Sequence, residues 1–265
     1  MSSNEELQSL VDFAVTTAQN TSNIALKYFR SDLQVTNKTE QGKFDPLTLA
    51  DTEIEAYIRE CITGQYPDHG ITGEEEGITA GDSDYRWYID PIDGTRGFVA
   101  GSPMWGTLLG LMHGDDCVTG LMHQPFIGET FVGSELGAFL ITSEQKREIH
   151  TSATENISDA ILCCTHLSMF HSGKVLDKFI RLADGCRFSR FGTDCYGYAM
   201  LALGSVDLIV ESGLKAFDIM PLIPLVEAAG GVVTNWEGGD VALGGDVVAA
   251  ATPGLHEQAL KFLSS

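Results

Sequence analysis

The stretch "WYIDPIDGT", residues 87–95, decides how the rest of the chain is read. An apolar run ends in Asp90 and Asp93, three positions apart, and Gly94-Thr95 follows. Two close carboxylates repel, and partial burial strengthens the repulsion. Something positive must lie between them, or one must hold a proton. They flank Pro91, so the run reads as a strand that finishes at the acids. Gly94 and Thr95 can turn backbone N–H groups toward an anion where a helix starts. The ligand atoms on offer are oxygens, with no His or Cys cluster, which suits a hard cation such as Mg²⁺. The stretch therefore reads as acids that grip divalent cations, with amides behind them for a phosphate that those cations bridge.

The elements on either side are legible from periodicity. Spacings of three and four predict a helix over 4–29 and a second over 51–65, which stops before Pro67. The period then changes to that of short strands, at 86–90, 107–113, 117–123, 129–133 and 138–142, separated by Gly, Asp and Pro. A polar passage places a boundary near 145–150, giving an N-terminal α+β half (1–147) and a C-terminal α/β half (148–265). The second half alternates: strand 160–166, helix 172–184, strand 186–191, helix 194–203, strand 207–211, helix 218–229, strands 231–236 and 246–252, helix 253–263.

Composition narrows the function. The net charge of −21 argues against nucleic acid, whose phosphates need a basic face. It leaves small phosphorylated substrates open if bound cations reverse the local sign. No apolar run approaches the roughly 20 residues of a membrane span. The polar, acidic start "MSSNEELQSL" resembles neither a signal nor a transit peptide, so a cytoplasmic protein is expected. The six cysteines show no CxxC pair and read as buried, reduced thiols. His113 and His123 close two "GLMH" runs and read as paired strand ends. Trp105 reads as core.

Further acids stand beside turn residues: Glu74 in "TGEEEG", Asp218 in "AFDIMP" and Asp45 in "KFDPLTLAD". Asp218 equally fits the cap of the helix that follows, and "EEE" alone fits a solvated face. Taken in order, "GEEEG", "DPIDGT" and "FD", followed after eleven intervening residues by Gly230-Gly231, resemble the inositol monophosphatase superfamily of metal-dependent, lithium-sensitive phosphatases. The match spans nearly the whole chain. Phe217 departs from it, standing where the family usually has Trp.

The resemblance implies a layered α-β-α-β-α sandwich and two or three Mg²⁺ ions, with Mn²⁺ as substitute and Li⁺ and Ca²⁺ as inhibitors. It implies metal ligation by Glu74, Asp90, the carbonyl of Ile92, Asp93 and Asp218. Catalytic roles fall to Glu74 and to Thr95 with Asp45, which would orient or deprotonate the attacking water. Asp93, Gly94, Thr95 and Arg96 would hold the phosphate. By analogy with the family, a homodimer is expected.

Within the superfamily, "RFGTDCY" (190–196), "DGTRGFVAGSPMWGTLLGL" (93–111) and "GLMHQPFIGETFVG" (120–133) resemble the histidinol-phosphate phosphatase branch. That implies hydrolysis of histidinol phosphate, in histidine biosynthesis. Asp194 and Glu211 would put two anions at the leaving-group pocket, complementary to a cationic substrate, with Asp218 beside them and Arg190 reaching the phosphate or its metals. Asp194 also fits a helix cap, and Arg190 a surface position. The competing readings are an inositol-1-phosphate phosphatase and, from another class, a non-catalytic acidic module that binds Ca²⁺ or a protein partner. The last would explain the charge but not Thr95 and Asp45 at water-activating positions.

Overall fold

The computed structural model describes residues 4–32, 35–38, 46–171 and 173–264. Asp45 lies outside the described residues. The chain opens with α1 (Asn4–Asn20) and α2 (Ser22–Tyr28) in place of one expected helix. They meet at Thr21, whose buried hydroxyl donates back to the Ala18 carbonyl at 2.7 Å. The hairpin of β1 (Val35–Asn37) and β2 (Pro46–Thr48) leads into α3 (Leu49–Gln65), which Thr48 and Asp51 start with a capping box.

An eight-stranded sheet follows: β3 (Gly70–Gly73), β4 (Gly77–Thr79), β5 (Tyr85–Asp93), β6 (Gly106–His113), β7 (Asp116–Gln124), β8 (Glu129–Ser134), β9 (Gly137–Ile141) and β10 (Lys146–Glu148), with α4 (Thr95–Val99) between β5 and β6. Its order is β10-β9-β8-β7-β6-β5-β3-β4, antiparallel except where β3 runs parallel to β5. The second half holds β11 (Ile161–Cys164), α5 (Gly173–Gly185), β12 (Phe188–Phe191), α6 (Asp194–Ala202), β13 (Leu208–Lys215), α7 (Ala216–Ile219), α8 (Ile223–Ala228), β14 (Val232–Asn235), β15 (Gly244–Ala250) and α9 (Pro253–Ser264). These strands form a five-stranded sheet of order β12-β11-β13-β15-β14. The expected helix over 218–229 is instead α7, a 3₁₀ turn (Met220–Leu222) and α8. Pro221 and Pro224 lack the N–H that a continuous helix would use.

Strand alternation builds the layers. On β6, Leu109 and Leu111 pack with α1 and α3 through Leu10, Ile54 and Ile58, whereas Leu108 and Met112 face the opposite way. There they meet Tyr198 of α6, Leu225 of α8, and Ile209, Val247 and Ala249 of the second sheet. The other face of that sheet, Leu208, Val210, Val248 and Ala250, is covered by Phe179 of α5 and Leu255 and Ala259 of α9. The result is an α-β-α-β-α sandwich in which both sheets are buried on both faces.

One seam fixes the middle layer. Gly110, Gly120 and Gly133 are register partners across β6, β7 and β8. A methyl group on any of them would run into the backbone of Pro221, Pro224 or Leu225. The glycine row lets the 3₁₀ turn and α8 lie directly on the sheet.

His113 and His123 are not paired strand ends. Antiparallel pairing sets Thr107 opposite His123 and Asp116 opposite His113, so the two imidazoles lie at opposite ends of the hairpin. His113 stacks on Tyr85, and His123 is buried among Ser22, Thr130 and the Glu129 carbonyl. Trp105 is fully buried against Phe29 and Phe98.

Candidate active site

In a regular strand Asp90 and Asp93, three residues apart, would point to opposite faces. The β5–β6 register slips between them: Asp90 opposes Leu108 and Asp93 opposes Gly106. Pro91 and Ile92 together face Thr107, whose hydroxyl donates to the Pro91 carbonyl at 2.9 Å. This extra residue brings the two acids to one side. Proline is tolerated there because a bulge needs no ladder N–H at that point.

Gly94 follows in a left-handed conformation (φ 81°), where a side chain would also collide with the Met104 carbonyl. Thr95 then opens α4, and its hydroxyl donates to the Ile92 carbonyl at 2.9 Å. The carbonyl keeps one lone pair and the hydroxyl keeps its own.

Asp218 arrives from the second half, in the first turn of α7. One of its oxygens accepts from the Lys215 N–H at 2.7 Å, so it does cap that helix. It also converges with Asp90 and Asp93: one carboxylate oxygen from each lies within 4.8 Å of the others. Asp90 is 2 % exposed and its Oδ1 has no hydrogen-bond partner among the described residues. Burial pushes its carboxyl well above the usual range, and repulsion from Glu74, Asp93 and Asp218 adds to the shift. Asp218 is likewise raised by burial and then by Asp93. Asp93 is pushed up to about 7 by burial and by Asp194, against the hydrogen bond that it accepts from the Cys195 N–H at 2.7 Å. An orphaned buried oxygen amid converging, mutually repelling carboxylates is what a hard divalent cation would satisfy, so these residues fit the implied ion.

Glu74 stands in the three-residue turn between β3 and β4, half-buried beside Asp90, and pairs with Lys38 Nζ at 2.8 Å. Lys38 also reaches Glu75 at 2.6 Å. Sequence reasoning passed over Lys38, and over Asp51, which is fully buried with one oxygen unpartnered among the described residues. Burial pushes Asp51 to about 6, and Glu74 and Lys38 both act on it. The signal for Asp51 was in the chain as the capping partner of Thr48, one turn into an amphipathic helix where a buried acid has no place without a task.

A cleft of about 250 Å³ opens beside the acids, lined among others by Asp93, Gly94, Thr95, Arg96, Thr165, Asp194, Tyr198, Glu211 and Asp218. Thr193, not Asp194, occupies the cap position of α6, and Asp194 is the first helical residue. Its backbone has φ 44°, a left-handed conformation rare outside glycine and costly to hold. It packs over Gly94, and burial with repulsion from Glu211 pushes its carboxyl up to about 7, against Arg96. Glu211 is anchored: it accepts from the Thr165 N–H at 2.9 Å, the Thr165 hydroxyl at 2.5 Å and the Tyr198 hydroxyl at 3.1 Å. Arg190 is not brought to the cleft. It is exposed on β12, the edge strand beyond β11.

Over residues 6–265 the chain matches the model of the inositol monophosphatase family. It is 36% identical over 248 residues to the Bifunctional phosphatase IMPL2, chloroplastic, of Arabidopsis thaliana, covering 89% of this chain and 70% of that protein. It is 34% identical to a histidinol-phosphatase of Streptomyces coelicolor, with 88% of each chain aligned. A solved inositol monophosphatase from Zymomonas mobilis superposes with a TM-score of 0.86 at 32% identity, covering 97% of this chain and 98% of that one. Cleft, acid cluster and layered sheets therefore sit in a known setting: the chain belongs to the inositol monophosphatase family, a family of phosphatases.

Proposed function

We propose that this chain is a Mg²⁺-dependent phosphomonoesterase that hydrolyses histidinol phosphate to histidinol and phosphate. Asp90, Asp93, Asp218, Glu74 and the Ile92 carbonyl would hold the cations. When bound, the ions supply charge neutralisation for the phosphate and acidify water. The chain's own residues do the rest. Gly94, Thr95 and Arg96 form the wall against which the phosphate rests. The Thr95 hydroxyl spends its proton on the Ile92 carbonyl, so its lone pairs face the cleft as acceptors that can orient a water for in-line attack.

The observation that carries the substrate is Asp194. A strained backbone holds this acid in the cleft lining, packed over Gly94 of the phosphate loop and near a second acid, Glu211. Neutral polyols need no such charge, whereas histidinol phosphate carries an amine and an imidazole. The similarity to the Streptomyces coelicolor histidinol-phosphatase supports the same reading. A second reading, an inositol-1-phosphate phosphatase, is supported by the structural likeness to the Zymomonas mobilis enzyme. Side-by-side kinetics decide between them. The expected result is the highest kcat/KM on histidinol phosphate among that ester, inositol 1-phosphate, fructose 1,6-bisphosphate and adenosine 3′,5′-bisphosphate, with activity lost on Mg²⁺ removal. Preference for inositol 1-phosphate would overturn the histidinol assignment.

A further inference from the structure

We propose that Glu55 and Arg59, both on α3, are positioning residues that fix the Glu74 turn for cation binding; this rests on the reading of Glu74 as a cation ligand. Glu55 is fully buried, in a part of the molecule where a lone charge is costly. Its two oxygens accept from successive backbone amides of the turn, Glu75 N–H at 2.8 Å and Glu76 N–H at 3.0 Å. The remaining amide of the turn, Glu74 N–H, donates to the Ile89 carbonyl on β5 at 3.1 Å, one residue before Asp90. Every N–H of the turn is thus tied either to α3 or to the strand that carries the other acids.

Arg59 completes the clamp. Its Nε donates to Glu55 Oε1 at 2.8 Å, one Nη to the Gly77 carbonyl at 2.5 Å and the other to the Thr79 hydroxyl at 3.0 Å. The guanidinium neutralises Glu55 and holds the far side of the turn at the same time. The turn is built to receive this carboxylate, since a methyl group at Gly73 would overlap Glu55 and Arg59. Lys38 pairs with Glu74 and Glu75 on the outer side. A three-residue turn held by its own amides can present Glu74 at one place. Without the clamp the same residues would sample many, and the cation would bear the cost of ordering them.

Two variants of the full chain test this: Glu55→Gln, and Glu55→Gln with Arg59→Met. The first leaves one turn amide facing an NH₂ group. The second also removes the buried charge, so thermal stability should recover relative to the single variant while the turn stays unclamped. Titration with Mn²⁺ alone, read by calorimetry, should show affinity about 10-fold or more weaker in both variants. Their KM for the ester at saturating Mn²⁺ should stay near that of the unaltered chain. A merely structural role predicts that affinity recovers with stability in the double variant, and that result would overturn the proposal. So would unchanged affinity in a folded Glu55→Gln protein. If Glu55→Gln does not fold, the double variant carries the test. Glu74→Gln separates the two levels of argument: if it binds Mn²⁺ as the unaltered chain does, the reading of Glu74 fails; if it binds weakly while both clamp variants bind normally, only the positioning role fails.

Discussion

At the scale of single residues, the roles proposed for Asp194 and Thr95 separate recognition from chemistry. Replacing Asp194 by Asn keeps the shape and a residue type that tolerates a left-handed backbone. It removes the charge. The kcat/KM for histidinol phosphate should fall roughly 10–100-fold, as for a lost charged hydrogen bond. Turnover of glycerol 2-phosphate should hardly change, and equal loss on both esters would assign Asp194 to the metal site or to folding. Thr95→Ala should lower kcat by roughly 10²-fold or more while leaving the half-saturating Mg²⁺ concentration nearly constant. A loss below about threefold would restrict Thr95 to its backbone amide.

At the scale of elements, the seam between the 3₁₀ turn and the glycine row is an exacting backbone contact. Gly120→Ala should destabilise by about 2 kcal/mol or more in urea unfolding, because the overlap is with the Pro221 backbone, which has no rotamer to move. A cost below about 0.5 kcal/mol would show that the seam can open. A second element contact gives a pH dependence. His123 on β7 is held between Ser22 of α2 and Thr130 of β8, with the Glu129 carbonyl also at its ring. Burial lowers its pKa from the ordinary 6.5 to about 4. The folded chain keeps the ring neutral while the unfolded chain protonates it below about 6.5. Stability from this residue is therefore present above pH ~6.5 and lost as the pH falls toward ~4, to a limit of ~3 kcal/mol. In His123→Gln the difference in unfolding free energy between pH 7.5 and pH 5 should shrink by ~2 kcal/mol; an unchanged difference would place the titration elsewhere.

At the scale of the molecule, the acid cluster joins parts of the chain that are far apart in sequence. Asp90 and Asp93 come from the eight-stranded sheet, and Asp218 comes from the segment that enters the middle layer from the five-stranded sheet. Asp93 also accepts from the first turn of α6, tying the two halves at the cleft. A cation at this junction should stabilise the whole fold. Mg²⁺ at about 100 times its dissociation constant adds ~2.7 kcal/mol, which is several degrees of Tm for a chain of this size. Calorimetric scans in EDTA, in Mg²⁺ and in NaCl of equal ionic strength measure this. A rise that NaCl reproduces in full would reduce the effect to screening of the net charge of −21.

The sequence by itself determined the long helices, the run of short strands after them and the motif acids. Amphipathic periods, turn residues and paired carboxylates are local signals, carried by neighbours a few positions apart. It could not show that α1 and α2 part at Thr21, or that two prolines divide the segment after Asp218. Nor could it show that "GITG" at 70–73 is a strand, because β3 is four residues long and exists by pairing with β5. The site divides in the same way. Asp90, Asp93 and Asp218 were legible as motifs, but the bulge that turns the first two to one face needs β6 as its partner. Asp51 carried only a helix-capping signal, and Lys38, Glu55 and Arg59 carry no motif; their burial and contacts appear only in the folded chain. Arg190 was expected to reach the phosphate or its metals, yet it stands on the exposed edge strand. Tertiary structure decided these points because burial, register and the approach of distant segments are properties of the folded chain, to which no local pattern is bound.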